Sequence, residues 1–243
     1  MFDSHIHAQR LKKAENYVTP CLVPAICEAD WPDMRRLQCD HRHVWLAMGV
    51  HPQHAHQWQN TSEERLRRQL AGPGVVAVGE IGLDKRLDVP MDIQEQVLRC
   101  QLRLAVACDK PVVLHAVRSF DRLLPVLEQE RVDRVGGVMH GFYGSVEIAR
   151  KLERLNLAVG VGRLILDPAA KKLPDVIQAV SQRALVIETD APWREPCEDW
   201  RVPWHTILGR VAQLRGWERQ QAIRLTDENA RRIFHLPQEG LVE

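Results

Sequence analysis

The feature that most constrains the fold of this 243-residue chain is an alternation of short apolar runs with longer amphipathic stretches. Near-continuous runs of Val, Ile and Leu are typical of strands buried on both faces of a parallel sheet. The opening segment, Met1 to Ile6, is expected to form the first strand. The other expected strands are Val18 to Ile26, Val44 to Val50, Val75 to Val78, Pro111 to Leu114, Val135 to Met139, Leu157 to Val161 and Ala184 to Ile187.

The stretches between these runs have the pattern of amphipathic helices. Ser119 and Ser145 are suited to cap the starts of two of them. The predicted helices are Asp92 to Cys108, Ser119 to Glu130, one that begins at Ser145, Leu173 to Gln182, Trp204 to Leu214, Glu218 to Leu225 and Asp227 to Phe234. Alternating strands and helices, with about eight strands, predict an α/β fold, a (β/α)8 TIM-like barrel. An open doubly wound sheet is the alternative. No boundary divides the chain, so residues 1–243 are predicted to form a single domain.

Charge and cysteine usage narrow the functional classes. Lys and Arg total 33 and Asp and Glu total 32, a net charge of +1, so any contact with nucleic acid must come from a local patch. None of the six cysteines forms a CxxC pair, and we expect them to be reduced. No apolar run reaches the ~18 residues of a membrane span, and the opening residues lack a secretory pattern. The sequence therefore predicts a cytoplasmic protein without a membrane anchor.

The pattern His-x-His occurs three times, so position must decide which pair has a function. His5 and His7 lie at the carboxyl end of the expected first strand, where residues two apart point the same way and could share one ion. The pair His41 and His43 precedes a strand, at the opposite, structural end. The third pair, His54 and His56, lies in a loop and is interpreted as solvated.

Side chains of the metal-ligand type recur at the ends of the later runs. Glu80, His115 and His140 each follow an apolar run, and Asp190 follows the last one. Polar groups that converge in a barrel need partners, because burying them unpaired is costly. Imidazole and carboxylate ligands suit Zn²⁺, Mn²⁺ or Fe²⁺. The sequence therefore predicts a metal site at this end of the barrel.

Seven motifs in register then resemble the TatD family of metal-dependent deoxyribonucleases and hydrolases, part of the amidohydrolase superfamily. The resemblance spans nearly the whole chain. The motifs are Phe2-Asp3-Ser4-His5-Ile6-His7, Gly49-Val50-His51-Pro52, Val78-Gly79-Glu80-Ile81-Gly82-Leu83-Asp84, Val113-Leu114-His115, His140-Gly141-Phe142-Tyr143-Gly144-Ser145, Glu188-Thr189-Asp190-Ala191-Pro192 and Asn229-Ala230-Arg231-Arg232-Ile233-Phe234.

The resemblance implies a TIM-barrel-like fold with two divalent ions per chain (Zn²⁺, Mg²⁺ or Mn²⁺). It implies that His5, His7 and Asp190 hold one ion, that His115 and His140 hold the second, and that Glu80 bridges them. Such ions clamp a phosphoester oxygen and activate a water. Asp190, beside an ion, is then expected to accept the proton of that water, and Glu80 is counted with it as catalytic.

The substrate side is predicted from single residues. Arg118 could pair bidentately with a phosphate, His51 and Lys85 favour an anionic substrate, and Trp193 could stack on a base. The sequence departs from the family pattern at Lys85, at Gly141 and at Arg201-Val202-Pro203, all where substrate would be bound.

The resulting hypothesis is a divalent-metal-dependent phosphodiesterase or deoxyribonuclease that acts on DNA ends or single strands. One alternative is a metal-dependent hydrolase of a small phosphoester, amide or lactone. The non-enzymatic alternative is a metal-binding protein that has lost activity. DNA or a small phosphoester is the expected partner, and no obligate protein partner is evident.

Overall fold

The computed structural model describes residues 1–11, 19–192 and 201–237. Within them, seven parallel strands pair in chain order, from the first to the seventh. The strands are β1 (Cys21–Pro24), β2 (Val44–Met48), β3 (Val75–Asp84), β4 (Val112–Val117), β5 (Gly137–Met139), β6 (Leu157–Val161) and β7 (Leu185–Ile187).

Eight α-helices among the described residues separate these strands or follow the last one. They are α1 (Trp31–Asp40), α2 (Ser62–Leu70), α3 (Met91–Ala107), α4 (Phe120–Gln129), α5 (Val146–Arg154), α6 (Leu173–Ala179), α7 (Arg201–Arg215) and α8 (Arg219–Ile233). The predicted alternation of strands and helices is confirmed. Helices α1 and α2 were not predicted, and the two predicted helices near the end of the chain form the single helix α8.

The opening segment was predicted to be the first strand, and it does not form a regular strand. It nevertheless occupies the predicted position in the barrel. Residues 3–6 form only an isolated bridge, Asp3 to Cys21, while the Ser4 N–H donates to the Ile187 carbonyl on the other side at 3.0 Å. The segment therefore lies between β7 and β1. Strand pairing is broken because the Asp3 carboxylate accepts the His5 N–H at 3.2 Å.

A separate apolar cluster fills the barrel interior. It takes one residue from the opening segment and one from every strand, which are Phe2, Leu22, Ala47, Ala77, Val113, Val138, Ala158 and Val186. The end of α8 closes the floor, where Phe2 and Phe234 pack with ring centroids 6.5 Å apart. A larger cluster packs between the sheet and the surrounding helices. This is the layered core of a parallel barrel, and it leaves the opposite end open for a site.

Two strands extend further than the sequence pattern predicts, and this moves two of the expected ligands. β3 continues to Asp84 and β4 to Val117, so Glu80 and His115 lie within strands rather than at their ends. Paired register at Gly82 and His115 holds the two strands together there. Ser145 caps α5 as predicted, by accepting the Ile148 N–H. The Ser119 side chain instead donates to the Leu83 carbonyl at 2.8 Å.

Among the described residues, no helix is both long and apolar enough to cross a lipid bilayer. Five of the six cysteines lie in the described parts of the chain, and none of the five is joined in a disulfide there: Cys21, Cys27, Cys39, Cys100 and Cys108.

Candidate metal centre

The Glu80 carboxylate lies at the centre of a cluster of histidines above the barrel interior. Its Oε1 atom lies 2.9 Å from His115 Nδ1 and 3.2 Å from His140 Nε2. Its Oε2 atom faces the other way, 3.4 Å from His5 Nε2 and 3.8 Å from His7 Nε2. One carboxylate thus presents a different oxygen to each of two groups of imidazoles.

Asp190 completes the group on the Oε2 side. Its Oδ1 atom is 3.5 Å from His7 Nε2 and 3.7 Å from His5 Nε2. The Asp190 side chain is 31% exposed, whereas Glu80 is 3% exposed, so Asp190 is the carboxylate that reaches solvent. Its backbone has φ 54°, in the left-handed region that is costly for a non-glycine residue and that recurs at functional sites.

Three sets of side chains bring one ligand atom each to within 4.8 Å of one another, and these sets are His5-His7-Asp190, His5-Glu80-His140 and His51-Glu80-His115. All six residues predicted as ligands are therefore brought together. His51 joins them, although the sequence suggested only a substrate contact for it. Its Nδ1 accepts the Gln53 N–H at 3.1 Å, so Nε2 is the atom that faces Glu80 Oε1, at 3.7 Å.

The histidines of the opening segment carry buried nitrogens without hydrogen bonds among the described residues. These atoms are Nδ1 and Nε2 of His5 and Nδ1 of His7. Buried polar groups in folded proteins are nearly always paired, because an unpaired one loses its hydration without compensation. A cation bound between these rings and the two carboxylates would pair Nε2 of His5, the one of these three nitrogens that faces both Glu80 and Asp190. The residues present therefore fit a metal centre.

Two further carboxylates support the histidines on the Oε1 side. Asp84 Oδ2 lies 3.2 Å from His115 Nε2, and Glu188 Oε1 lies 3.3 Å from His140 Nδ1. A carboxylate behind a ligating imidazole fixes its orientation and raises its basicity. Sequence reasoning missed both residues as functional, although Asp84 and Glu188 lie inside the quoted motifs.

Burial and charge set the protonation of the cluster. Burial, the largest influence, raises the pKa of Glu80, but His140, His5 and the other nearby imidazoles outweigh it and bring that pKa well below its usual range. Burial lowers the pKa of His140, yet Glu80 and Glu188 raise it well above the usual value. The pKa of His115 is also raised, because hydrogen bonds to Asp84 and Glu80 outweigh its burial.

Two other histidines stay neutral at physiological pH. Burial, together with the neighbouring charge of His5, lowers the pKa of His7 to about 4. Burial likewise lowers the pKa of His51 to about 3, although Glu80 opposes the shift. Imidazole binds a metal only in its neutral form, so His7 is ready to act as a ligand over most of the pH range.

Asp3 holds the opening segment against the loop after β7. Its carboxylate accepts the Thr189 hydroxyl at 2.7 Å and the Thr189 N–H at 3.0 Å, in addition to the His5 N–H. Burial raises the pKa of Asp3 to about 8 despite these hydrogen bonds. The contact fixes His5 and Asp190, which flank Asp3 and Thr189 in the chain, relative to each other.

A cavity of about 720 Å³ opens over this cluster, and His7, His140 and Asp190 lie in its wall. This volume suits a small-molecule or nucleotide substrate. Arg118 also lines it, with an exposed side chain and a left-handed backbone at φ 53°. None of the ion pairs found among the described residues involves its guanidinium.

The structure does not place the other two predicted substrate residues, Lys85 and Trp193, in the wall of this cavity. The Lys85 ammonium is bound by Asp121, with both oxygens at 2.9 Å, and Lys85 does not line the cavity. Its neighbour Arg86 does, and sequence reasoning missed it together with Tyr143. Trp193 lies outside the described residues. The other His-x-His pairs lie apart from the cluster: one precedes β2, and the other lies in the 3-10 turn Pro52–Gln57.

Comparison with known proteins gives consistent matches. The family model described as TatD related DNase matches residues 2–235. A Bacillus subtilis protein named as an uncharacterized metal-dependent hydrolase, YabD, is 31% identical over 201 residues, covering 79% of this chain and 78% of its own. The 3'-5' ssDNA/RNA exonuclease TatD of Rahnella is 33% identical over 203 residues, covering 79% of this chain and 77% of its own length. The crystal structure of the TatD homologue YjjV from Escherichia coli superposes with a TM-score of 0.88 at 29% identity, covering 98% of each chain.

Proposed function

Because this chain belongs to the TatD family of metal-dependent hydrolases, we propose that it cleaves phosphodiester bonds at the ends or in single strands of DNA, with two divalent ions per chain. The observation that carries the proposal is the Glu80 carboxylate, whose two oxygens face two separate groups of imidazoles. Paired divalent ions bridged by a carboxylate are a recurrent arrangement for hydrolysis of phosphoesters.

We assign the ligands as follows. His5, His7 and Asp190 would hold one ion, His115 and His140 would hold the other, and the Glu80 carboxylate would be shared between them. His51 faces the second group through its Nε2 atom, at 3.7 Å from Glu80. A set this rich in imidazole favours Zn²⁺ or Mn²⁺ over Mg²⁺, which prefers oxygen ligands.

When bound, such ions supply a water of lowered pKa and stabilise the charge on the phosphate oxygens. Asp190 accepts the proton of the attacking water, because it is the half-buried carboxylate in the cavity wall and can pass the proton on to solvent. Glu80 is buried and keeps its negative charge, since the nearby imidazoles hold its pKa well below the usual range. Arg118, a fork of N–H donors at the mouth, binds a phosphate bidentately.

The choice of DNA as substrate rests on the family match and on the charge of the cavity. The net charge of the chain is only +1, yet Arg86 and Arg118 both line the cavity. Asp167 also lines the wall and Asp190 is assigned to an ion, so the two guanidiniums are local phosphate contacts, and such contacts do not require a basic protein. The Rahnella relative, named as an exonuclease of single-stranded DNA and RNA, supports the same class of substrate.

The test is hydrolysis by protein stripped of metal and then reconstituted with Zn²⁺, Mn²⁺ or Mg²⁺. Single-stranded DNA, duplex DNA, RNA, an aryl phosphodiester, a simple amide and a lactone serve as substrates, and metal content is measured on the same samples. We expect two ions per chain and cleavage of phosphodiesters, fastest on single-stranded DNA. Turnover confined to the amide or lactone, or saturation at one ion, would overturn the proposal. A mock preparation, purified in the same way from cells that do not express the chain, controls for contaminating nuclease.

A further inference from the structure

An exposed aromatic ring stands at the mouth of the catalytic cavity. Tyr143 is 59% exposed and lines the cavity together with His140 and Asp190. Among the described residues only two other large hydrophobic side chains are exposed, Ile93 and Leu166. A tyrosine this exposed leaves much of its apolar ring in water, so the ring is available to pack against a ligand.

The backbone on both sides of Tyr143 is packed and hydrogen-bonded, so the fold places this residue at the cavity wall. On one side, Phe142 is 1% exposed, packs against Phe120 with ring centroids 5.8 Å apart, and donates its N–H to the Gly160 carbonyl. On the other, Ser145 caps α5. A side chain at Gly144 would collide with the Phe142 ring, 2.6 Å from the position of its Cβ. The loop therefore buries Phe142 and presents Tyr143 to the cavity.

The same cavity wall contains cations and a second apolar side chain. Arg86 and Arg118 line it, and so does Leu164, in the turn that follows β6. Arg86 lies 3.8 Å from Asp84 and is 62% exposed, so its guanidinium remains accessible. A site that offers guanidinium groups beside a flat apolar ring is complementary to a phosphate that carries a planar, uncharged group. A nucleotide has this chemistry, whereas an alkyl or sugar phosphodiester lacks the ring.

Resting on the proposed phosphodiesterase activity, we propose that Tyr143 stacks on the base next to the scissile bond and makes this site selective for unpaired nucleotides. Stacking on an aromatic side chain is tolerant of sequence, because every base has a π-face. A paired base is already stacked on its neighbours and cannot reach the ring without leaving the duplex. Tyr143 is thus a specificity-determining residue for single strands.

The experiment compares metal-reconstituted wild type with Tyr143→Ala and Tyr143→Phe. The substrates are short single-stranded oligodeoxynucleotides with an intact base, or an abasic residue, at one end or the other. We expect wild type to have a higher kcat/KM for the oligonucleotide whose attacked end carries an intact base than for the one whose attacked end is abasic. Tyr143→Ala should lower this ratio of kcat/KM values by about 10- to 100-fold. The loss should appear mainly in KM, since stacking binds ground state and transition state alike. Tyr143→Phe should keep the preference, because the hydroxyl takes no part.

Two controls separate stacking from a structural effect. Ile93→Ala removes a side chain that is also exposed, at 37%, but does not line the cavity, and it should leave the preference unchanged. A 2-aminopurine base at the attacked end of a hydrolysis-resistant phosphorothioate oligonucleotide should be quenched on binding to wild type and Tyr143→Phe, and not on binding to Tyr143→Ala.

The possible failures can be told apart. If wild type cleaves the oligonucleotides but Tyr143→Ala keeps the full preference and the full quenching, stacking is wrong and the phosphodiesterase proposal stands. If wild type with two bound ions cleaves no oligonucleotide, both proposals fall together.

Discussion

Replacing Glu80 with glutamine tests the central feature of the site. The substitution keeps the size of the side chain and removes the charge that lies 2.9 Å from His115 Nδ1 and 3.2 Å from His140 Nε2. At an effective dielectric constant of ~20, opposite charges at these distances attract by about 5 kcal/mol. Removing one partner of a buried pair costs about 3–5 kcal/mol, because the other charge is left unpaired.

The size of the effect depends on pH. The pKa of His140 is raised in the folded protein, so its stabilisation is fully present below the unfolded pKa of about 6.5 and is lost as pH rises through the folded pKa. Glu80→Gln should therefore destabilise the metal-free protein by about 3–5 kcal/mol at pH 6. The loss should be clearly smaller at pH 9, where His140 gives up more of its proton.

The assay is urea unfolding of chelator-treated protein at both pH values, followed by thermal unfolding with added Zn²⁺ or Mn²⁺. Wild type should gain stability from the ions, since they bind only the folded chain. Glu80→Gln should gain much less, because an amide is a poor bridging ligand. Glu64→Gln, which removes an exposed partner of Arg68, is the matched control and should cost under about 1 kcal/mol. Equal destabilisation at the two pH values, or two ions bound with wild-type affinity, would refute the reasoning.

Three further predictions concern the rest of the site. Asp190→Asn should lower phosphodiesterase turnover at least ~100-fold in a folded protein, because it removes the proton acceptor; near-normal rates in a steady-state assay would place the base elsewhere. Arg118→Ala should reduce kcat/KM on phosphodiesters about 10-fold or more with unchanged metal content, and Arg118→Lys should restore it poorly; an unchanged kcat/KM removes the phosphate contact. In the metal-free protein, thermal stability should peak near pH ~6.5. Below that pH the native state becomes less stable, because His7, whose folded pKa is about 4, takes up its proton more readily in the unfolded chain. Above that pH the native state also becomes less stable, because His115 and His140, whose folded pKa values are raised, lose the protons that stabilise the fold. A melting temperature that rises steadily from pH 6.5 to 9 would contradict this.

Much of the fold could be predicted because parallel strands buried on both faces need long apolar runs. β6 has the predicted bounds, Leu157–Val161, and six other expected strands overlap a real one by three residues or more. Two of the predictions failed where side chains compete with the backbone. The opening segment is not a regular strand because the Asp3 carboxylate, rather than a neighbouring strand, accepts the His5 N–H. In α8, Asp227 binds the chain's amino terminus and Arg231 rather than starting a new helix.

The six ligand-type residues were also accessible from sequence, since each follows or ends an apolar run and parallel strands bring such positions to one edge. Their supporting groups were not. Glu188 lies 48 residues from His140, and Thr189 lies 186 residues from Asp3. Contacts across such separations depend on how the barrel closes, which no local pattern encodes.

The sequence by itself thus determined the chemistry available to this protein: imidazoles and carboxylates towards the carboxyl ends of the strands of a parallel barrel. The tertiary structure alone decided how those groups are used. Only the fold turns one Glu80 oxygen to each group of histidines and leaves Asp190 half-exposed. Only the fold ties Lys85 to Asp121 while placing Arg86 and Tyr143 in the cavity wall. The physical reason is that a residue's type fixes which bonds it can make, whereas its partners and its access to water depend on packing between segments that are distant in the chain.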